Sequence, residues 1–94
     1  MFIVSLEYKK PLEEVDLHLP AHIEYLKSQY EAGNFLMSGR KKPRTGGVII
    51  SNVNTREYLD QILQQDPYYQ NKVADYSVVE FEPGMTCAEL EFLI

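Results

Sequence analysis

The apolar residues of this chain change their spacing from two to three-and-four and back, twice, within 94 positions, and few folds accommodate that order. Phe2, Val4, Leu6 and Tyr8 alternate with Ile3, Ser5 and Glu7, the period of a half-buried strand. Lys9-Lys10-Pro11 ends it. Residues 12 to about 32 read as helical, because Val15, Leu19, His22, Leu26 and Tyr30 share one stripe. Pro20 is harmful deep in a helix, so the regular helix is predicted to start near it, after a short irregular turn. Gly33 then acts as a helix stop, with Asn34 beside it. Phe35 to Ser38 is a second predicted strand. Residues 39–47 read as a loop, and Val48-Ile49-Ile50 as a third strand, apolar on both faces. Asn54-Thr55-Arg56-Glu57 has the spacing of a capping box, with Asn in place of Ser or Thr. The helix it opens carries Tyr58, Leu59, Ile62 and Leu63. Gln64-Gln65-Asp66-Pro67 interrupts that helix, a short turn passes Tyr68 and Tyr69, and Tyr76 to Phe81 is a fourth strand stopped by Pro83-Gly84.

The order is β-α-β-β-α-β, an α+β pattern. Connection rules make a ferredoxin-like βαββαβ sandwich the economical solution: four antiparallel strands with two helices on one face. The second sheet face would carry Ile3, Val79 and Phe81, or their neighbours across the pleat, and a face that apolar does not stay wet. Two such sheets packed face to face form a homodimer, a dimeric α/β barrel. A domain this small buries only about two-thirds of its unfolded surface, so a partner subunit helps. Residues 1–83 are read as the domain and residues 84–94 as a tail that packs on it or on the partner. In that tail Thr86-Cys87-Ala88-Glu89 suits a short helix, whereas Leu90, Phe92 and Ile94 alternate as a strand would.

At 45% hydrophobic and 24% charged, the composition is that of a globular chain. A formal net charge of -5 works against nucleic acid and anionic membranes as partners. The single cysteine, Cys87, excludes an intrachain disulfide and a cysteine zinc site, which fits a reducing cytoplasm. No apolar run approaches the roughly 20 residues of a membrane helix. The opening MFIVSLEYKK puts charge after a short apolar stretch, the reverse of a signal peptide, and no targeting segment is read.

Several short pieces, taken in order, resemble the YciI-like family over residues 1 to about 83. They are Met1-Phe2-Ile3-Val4, Ala21-His22, Glu31-Ala32-Gly33 leading into Phe35-Leu36-Met37-Ser38-Gly39, Gly46-Gly47-Val48-Ile49, and Gln65-Asp66-Pro67-Tyr68. The resemblance implies a ferredoxin-like subunit, a dimeric barrel, and a pocket with a paired His and Asp, which map to His22 and Asp66. It also implies kinship with a dehydrochlorinase acting on a chlorinated aromatic ring compound. The chain departs from the family pattern at Leu19, where many relatives have Arg, and at Gly39-Arg40, where many have Gly-Pro. Both departures touch the expected pocket rim.

Read from the residues alone, His22 is either a core histidine held by a carbonyl or a group that moves protons near neutral pH; the resemblance favours the second. Asp66-Pro67 is a standard start for a helical turn. The two roles are compatible if one carboxylate oxygen caps while the other accepts from the histidine. Ser38 is read as a hydrogen-bond donor to ligand or simply a strand end. Four of the nine basic residues fall within positions 40–44, so Arg40 and Arg44 are candidates to hold a carboxylate or phosphate. Gly39 allows close approach, and Tyr8 and Tyr68 are candidates for an aromatic lining, with Tyr69 beside them. His18 and His22 sit at i and i+4, but Pro20 between them and the lack of a third ligand argue against a metal. Cys87 is read as inert. The expected function is an enzyme needing no cofactor, using His22 and Asp66 for proton abstraction with elimination, or a related lyase or hydrolase step. Its substrate would be small and polar or anionic. A non-catalytic metabolite-binding or regulatory homodimer has the same features. A pure oligomerisation module would instead leave His22 and Asp66 far apart.

Overall fold

β1 (Phe2–Tyr8) is the strand whose alternation is cleanest, and the sheet is built around it. In the computed structural model, which describes residues 1–94, it lies between β3 (Gly46–Ser51) and β4 (Ala74–Glu80), with β2 (Phe35–Arg40) outside β3. The order β2-β3-β1-β4, with every pair antiparallel, is the ferredoxin-like arrangement. Phe2 and Val4 are 0% exposed and Leu6 2%; they point toward the helices and anchor the core with Val15, Leu59 and Val73. Each such side chain contributes about 1.5–3 kcal/mol on burial.

The first helical region divides at His18 into α1 (Leu12–Leu17) and α2 (Leu19–Glu31). Pro20 has no N–H to donate and its ring would press on the carbonyl four residues back, so α2 starts afresh with proline in its first turn. Gly33 follows α2 at φ +77°, a conformation that glycine adopts without a Cβ clash.

Several boundaries differ from the sequence reading: β3 starts at Gly46, before Val48, and the stretch ahead of Pro20 is the regular helix α1 where an irregular turn is expected. Gly39 and Arg40 belong to β2, paired with Val48 and Gly47, so the basic loop shrinks to residues 41–45. α3 (Arg56–Leu63) is capped by Thr55, not Asn54; Thr55 Oγ1 accepts from Tyr58 N at 3.1 Å. Asn and Thr adjoin here and both cap well, and spacing alone does not choose between them. β4 begins at Ala74, two residues before the predicted start.

α4 (Pro67–Gln70) is a single turn opened by Asp66. The opposite sheet face is open. Across it, Met37 pairs with Ile50, Ile50 with Ile3, and Ile3 with Val79, an apolar row spanning all four strands. Met37 and Val79 are exposed. The tail ends in a 3-10 turn, Ala88–Leu93, which leaves Leu90, Phe92, Ile94 and Cys87 exposed. No helix is long and apolar enough to cross a membrane.

Candidate functional site

Asp66 arrives at the site because the chain must turn after α3, and Asp-Pro starts that turn. Its side chain is 0% exposed. Oδ1 accepts from Tyr68 N at 2.9 Å, the cap expected of an Asp in this position. His22, in the first turns of α2, lies on the buried side of its helix and meets the same oxygen: Nδ1 to Oδ1 is 2.7 Å across 44 positions of sequence. The expected division of labour, one oxygen for the cap and one for the histidine, is thus corrected. Both donors share Oδ1, since the turn brings Tyr68 N and the imidazole to one side of the carboxylate. Oδ2 is left for a partner the sequence did not disclose, the hydroxyl of Tyr76, which donates to it.

The imidazole is held flat as well as in register. Tyr68 stacks on it with ring centroids 3.9 Å apart and planes 5° from parallel. With Nδ1 donating to Asp66, the tautomer is fixed and Nε2 is left without a partner in the protein. His22 lines a cavity of about 170 Å³. Leu6, Leu19, Ile23 and Leu26 form much of its apolar wall. Tyr8, Ser38, Gly39, Arg40 and Tyr68 line it as well. A cavity of about 150 Å³ accepts a single benzene ring, so this one suits a monocyclic molecule. Gly46 and Gly47 form part of the wall where β3 runs close to β1.

Arg44 does not line the cavity. Its guanidinium is taken by Asp16 of α1, with Nη2 2.6 Å from Oδ1 and Nη1 3.4 Å from Oδ2, and lies 5.7 Å from the centre of the Tyr8 ring. That hydrogen-bonded pairing holds the Asp16 carboxyl below the usual carboxylate range. Arg44 therefore braces the cavity from behind Tyr8, and Arg40 is the cation at the lining. Ser38 faces the cavity, but its Oγ is 2.5 Å from Tyr30 Oη, so its hydroxyl is already engaged.

Three phenols around the site are pushed upward chiefly by burial. Tyr68 is raised to about 12 from an ordinary phenol's 10.0. Tyr25, which donates to Ile62 O, and Tyr76 are raised further, in both cases by burial and then by the charge of Asp66. Each phenol holds its proton more tightly folded than unfolded. The stability this contributes is fully present below pH 10.0 and is lost as pH rises toward and past 12. Thermal melts between pH 8 and 12 should show Tm falling steeply once pH exceeds about 10, with unfolding accompanied by a jump in tyrosinate absorbance. A flat Tm across that window would contradict the burial of these hydroxyls.

Comparison with known proteins agrees with this architecture. No curated protein matches the chain. Among solved structures, the chain is similar to the 5-chloro-2-hydroxyhydroquinone dehydrochlorinase of Burkholderia phenoliruptrix AC1100, in complex with 2,5-dihydroxybenzoquinone. The TM-score is 0.73 at 17% identity, over 89% of this chain and 96% of that one. At that identity the likeness speaks for the fold. The family model for the YCII-related domain matches residues 1–82, and the protein therefore belongs to the YCII-related family.

Proposed function

We propose that the chain is a small-molecule enzyme in which His22 and Asp66 perform acid–base chemistry on a monocyclic, polar or anionic substrate. The observation that carries this reading is the position of His22: Nδ1 is tied to a buried carboxylate while the ring lines a cavity with its other nitrogen unpartnered. An imidazole so oriented accepts a proton at Nε2, and the Asp66 charge stabilises the ring while it carries that proton. In an elimination, the carbon–hydrogen bond breaks toward Nε2, its electron pair becomes the new π bond, and the leaving group departs with its own pair. The proton on His22 then returns to water. In this reading Arg40, at the lining, holds an anionic substrate oxygen and the apolar wall holds the ring. The dehydrochlorinase neighbour makes a lyase step on a hydroxylated ring the first to try.

The same reading has two copies packed sheet to sheet, which covers the Met37–Ile50–Ile3–Val79 row. The exposed Leu90, Phe92 and Ile94 of the tail, residues 84–94, then pack on the partner subunit. The competing reading, a metabolite-binding or regulatory dimer without turnover, uses the same cavity. Incubation with a panel of chlorinated hydroxyhydroquinones and simple hydroxy acids separates the two, with chloride release, product formation and thermal shift read together. Conversion supports the enzyme. A thermal shift with unchanged ligand supports the binding protein.

A further inference from the structure

Asp66 Oδ1 receives two donors, His22 Nδ1 and Tyr68 N. Oδ2 receives one, Tyr76 Oη. No other side chain serves that oxygen: Tyr25 Oη is committed to Ile62 O, and Tyr68 Oη is buried with no partner at all. Tyr76 reaches it because β4 pairs with β1 so that Tyr76 lies opposite Leu6 and shares its inward face. Its ring is steadied from outside by Tyr69, edge-on with centroids 5.4 Å apart. The two rings help to line a second hollow, between α3 and β4.

The charge of a carboxylate is shared between its oxygens. A hydroxyl donating to one draws density from the other and weakens its hold on any proton it faces. We propose that Tyr76 is a positioning residue for the dyad: its hydroxyl, donated to Asp66 Oδ2, sets how strongly Asp66 Oδ1 holds the proton on His22 Nδ1. A relay, in which the phenol proton passes through Asp66 to the imidazole, is the other role such a chain suggests. Burial and the charge of Asp66 keep the phenol protonated far above its ordinary range, so it serves as a standing donor and not as a carrier. Tyr76 is not part of the cavity lining, so any effect it has on His22 passes through Asp66.

The His22 Nδ1–H signal reads this directly in NMR spectra of protein labelled with 15N-histidine, assigned by its loss in His22→Ala. Tyr76→Phe keeps the ring and removes the donor, and the signal should move downfield as Oδ1 recovers charge. Placing 3-fluorotyrosine at Tyr76, a stronger donor, should move it upfield. Tyr69→Phe, which leaves the Tyr76 hydroxyl alone, should move it in neither direction. A signal that is unmoved, moved upfield or lost in folded Tyr76→Phe overturns the proposal. Should that variant fail to fold, the fluorotyrosine protein decides: an upfield move supports it, and an unmoved or downfield signal overturns it. No substrate enters the experiment, so a lack of turnover would count against the proposed enzyme and leave this result standing.

Discussion

His22→Ala should lose about 10²–10⁴-fold in kcat while remaining folded. The loss should fall on kcat more than on KM, because the imidazole acts on the proton in transit and the cavity wall and Arg40 are untouched. Removing the ring also removes one of the three donors to Asp66 and the stacking surface of Tyr68. A stability cost of about 1–3 kcal/mol accompanies the change. Far-UV circular dichroism and a thermal melt, run beside chloride release or product formation, separate the two effects. Asp66→Asn sharpens the test. An amide N–H facing Nδ1 would demand the opposite tautomer, and in a serine-protease triad the equivalent change costs on the order of 10⁴-fold. Full activity in His22→Ala would remove the mechanism altogether.

The largest effect on stability is expected at Gly46, not in the helices. A Cβ built there would sit 1.8 Å from the carbonyl oxygen of Leu6 and 2.8 Å from its carbon. Both are backbone atoms of the central strand, so no side chain can step aside. β1 and β3 must separate at the point where they close the cavity. Overpacking of this kind costs about 1–3 kcal/mol and sometimes more, and displaced backbone belongs at the upper end. For a domain of this size Tm should fall by roughly 10–20 °C. Gly39→Ala is the control: a Cβ there meets nothing within 4 Å, although Gly39 lines the same cavity. Similar Tm values for the two variants would refute the close approach.

How much of this was legible beforehand depended on distance along the chain. The strand alternation of Phe2–Tyr8, the proline-started α2 and the Asp66-Pro67 turn are local, and each was readable from a few neighbouring residues. The same holds for the β-α-β-β-α-β order that dictates the sheet. What failed was either a choice between equals or a long-range partner. Asn54 and Thr55 are both good caps. Gly39 and Arg40 look like loop until Gly47 and Val48 are seen to pair with them. Arg44 looked like a free cation because nothing nearby in sequence neutralises it; Asp16, 28 positions away, does. Tyr76 reads in the sequence only as the first residue of a strand. The one available signal was its inward register two places after Ala74, which puts a hydroxyl where a buried acid needs one.

One oxygen atom both starts α4 and steadies the imidazole. Any displacement of that four-residue turn therefore also displaces the group against which the imidazole is set.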